Sequence, residues 1–203
     1  MISVKHLDKI LVLSVLGLGA HATAAPIKFK LTSDGATKPI ATVESKTEVE
    51  TFVGKTSKVA GNLTFDPKAR TGGGTISVNV KDLSTGVPLR DDHMNGAQWL
   101  DSAKFPTISF TAKEVKFVKG DQYQVKGNFT LHGVTKSITT MVTVKHVKES
   151  AETKAQGFKG DILQVKANFA VKLDDYGVII SGQAKGKVSE TVNIAITAIG
   201  QSK

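Results

Sequence analysis

The chain has 203 residues, 40% of them hydrophobic, a formal charge of +9 and no cysteine. That length suits one domain with a substantial core. The missing cysteine excludes disulfide staples, thiol catalysis, thiolate metal sites and a lipidated N-terminal cysteine, so stability must come from the core itself.

Residues 1–24 read as a cleavable export signal. Lys5, His6 and Lys9 make a basic start, and residues 10–19 form an apolar run too short to span a bilayer. Ala22-Thr23-Ala24 then supplies a small-x-small cleavage site. The expectation is a domain over residues 25–203 that is periplasmic or secreted, with an uncleaved anchor as the weaker alternative. Without Lys5, Lys9 and Asp8 the formal charge falls from +9 to +8. Such a balance can attract anionic lipid or nucleic acid. The lysines recur singly, however, as at Lys113, Lys126, Lys145, Lys166 and Lys172, mostly alternating with apolar positions. They read as a solvated outer face that discourages edge pairing, compatible with transient contact at an anionic membrane. Two tyrosines and one tryptophan give no stacking platform, so nucleic acid is not an expected partner.

Residues 27–31 predict a first strand, and Asp34 to Pro39 a turn. Residues 40–53 are rich in Thr and Val but alternate weakly. From Gly61 the alternation sharpens. Leu63 and Phe65 lead to Asp66-Pro67, residues 70–74 (Arg-Thr-Gly-Gly-Gly) predict a flexible turn, and Ile76, Val78 and Val80 follow as the second arm of a hairpin.

Residues 89–110 interrupt the pattern. Arg90, Asp91, Asp92 and His93 stand side by side, and a short helical segment near 91–101 would place Met94, Ala97 and Trp99 or Leu100 on one face. Asp91 or Asp92 is expected to cap that helix, with Arg90 and Asp91 anchoring its loop. Lys104-Phe105-Pro106 ends it, because proline holds the preceding residue extended. A helical insertion carrying the lone Trp in a β pattern reads as a lid.

Strands are then expected over 107–118 and 123–131, with Val125, Gly127, Phe129 and Leu131 on one face. A turn at 132–136 leads to a strand over 138–147, and residues 148–160 read as a mobile polar connection. Residues 161–173 alternate at six positions, including Phe169 and Val171, before Asp174-Asp175-Tyr176-Gly177 breaks them. Residues 188–199 complete the chain. Seven or eight one-sided strands specify an antiparallel barrel or sandwich, whose inner face is either filled or open to one elongated ligand.

Catalytic signals are weak. After the leader only His93, His132 and His146 remain, without the paired spacing of a zinc site. His132 and His146 read as structural, no Gly-x-Ser-x-Gly elbow occurs, and Gly72-Gly73-Gly74 lacks the Lys-Ser/Thr of a phosphate loop. A hydrolase or isomerase built on Asp91 and His93 is the remote reading, so the chain is taken as a non-enzyme with no cofactor and no metal.

Two segments carry a family resemblance. LRDDHMNGAQWLDSAKFPTISFTA joins an Arg-Asp-x-His run to a Lys-Phe-Pro-x-x-x-Phe strand, and GNFTLHGVTKSI forms a His-Gly-Val-Thr-Lys hairpin. Together they resemble the YceI family, more loosely from Gly61 to Ile199. The Asp…His-Ser segment that commonly opens such proteins is not recognisable here, which leaves the first strand's register open. The resemblance implies an all-β, eight-stranded antiparallel lipocalin-like barrel holding a long apolar chain of polyisoprenoid or quinone type. Parity and position around the lid then nominate Phe65, Val78, Val80, Met94, Trp99, Phe110, Phe129, Phe169, Val171 and Tyr176 as ligand contacts, with Arg90, Asp91 and His93 at the mouth. The leading expectation is a periplasmic lipid carrier. The alternative is a secreted stress or interaction protein with a packed barrel. A homodimer is compatible with either.

Overall fold

A computed structural model describes residues 25–31 and 38–203. The expected leader lies outside the described residues, as does most of the turn expected at Asp34 to Pro39. Among the described residues no helix is long and apolar enough to cross a membrane.

Ten strand segments form one antiparallel sheet: β1 (Ile27–Leu31), β2 (Ile40–Lys46), β3 (Thr51–Thr56), β4 (Val59–Asp66), β5 (Thr71–Asn79), β6 (Thr107–Lys119), β7 (Gln122–Leu131), β8 (Val134–Val147), β9 (Ile162–Lys172) and β10 (Thr191–Gln201). The register reduces ten segments to eight barrel positions. β1 and β2 run along the same edge of β10, with Leu31 opposite Gly200 and Ile40 opposite Thr197. β4 pairs with β1 and β3 pairs with β2, so these two segments also share one course, broken at Ser57-Lys58. The sheet closes where β1 meets β10 at Lys30 and Gln201. This is the closed eight-stranded antiparallel barrel.

The weak alternation over residues 40–53 is now explained. It spans two strands and the Thr47-to-Glu50 turn, and inward positions there include the buried polar Ser45. Gly72-Gly73-Gly74 is not the flexible turn expected. All three lie in β5, paired with Phe65, Thr64 and Leu63. A Cβ on Gly74 would fall 2.8 Å from Leu63 Cα, so absent side chains let β4 press its large residues against β5. His132 and Gly133 form a two-residue turn with positive φ at both positions, the geometry that twists with its strands. β8 therefore starts at Val134, earlier than alternation alone suggests.

At one end of the barrel the buried Phe29 and Phe65 pack against His146, whose Nε2 lies 2.8 Å from Asp161 Oδ2, and Tyr123 meets Phe65 edge-on. The connection from β8 to β9, expected to be mobile, carries a short helix, α2 (Ala151–Ala155), capped reciprocally by Ser150 and Thr153. Glu149 ties this connection to Lys154, to the Gly160 N–H and to Lys203. Hydrogen bonds from Lys154 and Gly160 hold its carboxyl down at about 2. The lid helix, α1 (Pro88–Asn95), crosses the opposite end and starts upstream of the expected segment. Proline at N1 supplies a pre-set φ there and loses no hydrogen bond.

Candidate functional site: an apolar barrel cavity under a helical lid

The open end leads into a cavity of about 830 Å3. Its wall is built by strand parity. Inward residues of β2 and β3 (Ala41, Val43, Phe52), β5 (Ile76, Val78), β6 (Ile108, Phe110), β7 (Phe129, Leu131) and β10 (Val192, Ile194, Ile196) form the sides. The lid adds Val87, Leu89, Met94, Ala97, Trp99 and Leu100. A second chamber of about 90 Å3 lies toward the closed end, between Phe65, the three glycines of β5, Val125, Val142 and Phe169.

The lid is fastened by polar groups outside the apolar wall. Asp91 accepts hydrogen bonds from Ser84 Oγ at 2.7 Å, Thr85 N at 2.7 Å and Thr85 Oγ1 at 2.6 Å. The Thr85 hydroxyl is the main cause holding its carboxyl below the usual range, helped by Ser84 and offset in part by desolvation. Neither acid caps the helix. The N-cap position is Val87, which makes no side-chain cap bond. Arg90 pairs with Glu50 of the β2–β3 turn at 3.1 Å and lies 4.5 Å over the Phe52 ring, joining lid to hairpin. Below the lid, residues 96–105 fold on themselves, with Ser102 N–H and Oγ both donating to the Asn95 carbonyl.

The nominated residues divide cleanly. Val78, Met94, Trp99, Phe110 and Phe129 line the large cavity, and Phe65, Phe169 and again Phe110 line the small one. Val80, Val171 and Tyr176 line neither. They are buried in the packing around the cavity, where Tyr176 meets the Phe129 ring edge-on at 5.5 Å. Of the mouth residues, Arg90 and His93 face the cavity, while Asp91 turns back to the loop and its neighbour Asp92 takes the lining position. His132 buttresses the wall, its Nδ1 3.2 Å from the Tyr176 carbonyl. Sequence reasoning missed Phe52, Val178, Gln183 and Lys187. Parity over residues 41–45 could have marked β2, whereas the loop carrying Val178 to Lys187 has no periodicity to read.

The mouth is polar and nearly charge-balanced. Asp92, His93 and Lys187 line it with no side-chain hydrogen bond or ion pair among the described residues. Among the described residues, no group of three or more His, Asp or Glu is placed to hold a metal ion. What the arrangement offers chemically is desolvation of a long apolar group, with polar atoms only at one end.

The family model described as the YceI-like domain matches residues 31–199. The chain belongs to the YceI family. It is 31% identical over 144 residues to Protein YceI of Salmonella arizonae, covering 69% of each chain, and equally close to Protein YceI of Salmonella newport. Among solved structures, the fold matches BcnA of Burkholderia cenocepacia with a TM-score of 0.67, at 20% identity over 79% of this chain and 95% of that one. A polyisoprenoid binding domain from Saccharophagus degradans, implicated in plant cell wall breakdown, matches with a TM-score of 0.64 at 16% identity, over 88% of this chain and 99% of that one. At these identities the two structures establish the fold.

Proposed function

We propose that this chain is an exported, non-enzymatic carrier that withdraws an isoprenoid-type lipid from water. The observation that carries the reading is the cavity of about 830 Å3, whose sides are aliphatic and aromatic and whose polar groups gather at the mouth. Removing apolar surface from water contributes roughly 25 cal/mol per Å2, so such a lumen favours a hydrocarbon chain over any polar guest. The Saccharophagus domain with the same fold, described as polyisoprenoid binding, supports that choice of chain. A packed barrel acting only through its surface does not fit a lumen of this size.

Residues 1–24 support a periplasmic location, and the rim supports loading at a membrane. Val49 at the hairpin tip is 78% exposed, Leu89 on the lid 66% and Ile179 in the β9–β10 loop 64%, all beside cavity-lining residues. Three apolar tips around one opening are suited to dipping between headgroups.

The test is mass spectrometry of an organic extract from the full chain, produced in a bacterial host and purified without detergent. A near-stoichiometric lipid with an isoprenoid mass series is expected, and Ile108→Trp, which narrows the lumen, should retain less of it. A lipid-free protein that also refuses added prenols overturns the proposal.

A further inference from the structure

Resting on the carrier reading, we propose that the lumen measures its cargo: a chain of about five or six isoprene units fits inside, and a belt of Ile76, Phe110 and Ile196 sets that limit. Among the described residues these three alone are shared by the walls of the two chambers. Ile76 and Phe110 are direct cross-strand partners on β5 and β6, and Ile196 stands on β10 opposite Ala167. The belt therefore spans the barrel from its β5–β6 side to its β10 side.

The belt is braced. The Phe110 ring lies in space that a side chain on Gly127 would occupy, so a Cβ there would collide with it. Beneath, Phe110 meets Phe169 at 6.5 Å between ring centroids, and Phe169 is itself held edge-on to Phe129 at 5.4 Å. A ring fixed on two sides does not swing aside as a lone rotamer would.

Volume gives the length. A methylene-sized group takes about the 30 Å3 share of one water in a liquid. The large chamber of about 830 Å3, counted out to its mouth, then holds at most about 28 heavy atoms, which is five or six five-carbon units. The far chamber of about 90 Å3 holds about three atoms, less than one further unit. Units beyond the limit stay at the mouth, partly in water, and add little affinity.

The experiment is a titration of the full chain with a series of all-trans prenols, from roughly two to nine isoprene units, read by the fluorescence of the only tryptophan, Trp99, in the cavity wall. Affinity should rise at least about tenfold per unit up to five or six units and then flatten. Phe110→Leu joins the chambers, and room for about three atoms in the far chamber plus the three trimmed from the ring should move the plateau outward by about one unit. Adding Ala167→Leu, which fills the far chamber, should move it back. If Phe110→Leu does not fold, Ile76→Ala on the partner strand makes the same test. A wild-type affinity that keeps climbing through nine units, or a plateau that Phe110→Leu leaves in place, overturns the ruler while the carrier stands. Failure of every prenol to bind removes the carrier reading itself.

Discussion

Replacing Asp91 with alanine should loosen the lid while leaving the barrel standing. The carboxylate accepts three hydrogen bonds from Ser84 and Thr85, at 2.6 to 2.7 Å. Partly exposed bonds of this kind contribute about 0.5–1 kcal/mol each, giving about 1.5–3 kcal/mol of local stability. That is a ten- to hundredfold rise in the opening equilibrium of residues 84–95. Among the described residues no strand residue bonds to the Asp91 carboxylate, so global unfolding should change little. Hydrogen exchange of the α1 amides reads the opening directly, and dissociation of bound prenol should quicken by a similar factor. Asp91→Asn, which keeps one acceptor oxygen, should fall between. The pH dependence has a fixed sign. The folded pKa lies below the unfolded value, so the clasp is complete above the ordinary carboxylate range and is lost as pH falls through the depressed pKa. Unchanged protection of α1 in a folded Asp91→Ala protein would refute the idea that this carboxylate fastens the lid.

Glu149 should titrate at about 2, far below its ordinary value of 4.5. Carboxyl carbon NMR would check this, and its contribution, complete above the unfolded value, should fade as pH drops toward about 2. A normal titration would mean that the Lys154 and Gly160 hydrogen bonds do not form. Gly74→Ala puts a side chain at φ +134 and 2.8 Å from Leu63 Cα, and should cost about 3–5 kcal/mol in a thermal melt or leave the protein insoluble. The double variant Val49→Asp, Ile179→Asp, at exposed positions outside the cavity wall, should keep its melting temperature and prenol affinity, yet slow lipid transfer to anionic vesicles by about tenfold or more. Equal transfer rates would separate the rim from loading.

From Gly61 onward the strands were legible because each has one wet and one dry face, and period two survives any detail of closure. The part of that shared course before Gly61, β3 and its junction with β4, was not. Its break falls at Ser57-Lys58, and inward positions hold Gly54 and Thr56, where polarity and small size erase the alternation. Glycine misled for a physical reason: three in a row signal a turn locally, but here they answer to Leu63 and Phe65 across the sheet. The site was readable where lining follows parity, as at Val78, Phe110 and Phe129. It was unreadable at Val178, 1% exposed in an aperiodic loop, and at Val80, Val171 and Tyr176. Parity says only that a side chain points inward. Whether it meets lumen or neighbour depends on its height along the axis, which register alone decides.

The ladder that shuts the barrel joins Lys30 to Gln201. β2 too must wait for β10, since Ala41 faces Ile196. Synthesis at about 5–20 residues per second therefore leaves the first strands without these partners for on the order of ten to thirty seconds. A nascent chain short of its last strand has an open sheet and no inside. Folding is thereby tied to completion, and non-local pairing of this kind makes the final step slow. The lumen is thus the last feature the chain acquires, and no part of the wall can hold a guest before the final strand is in place.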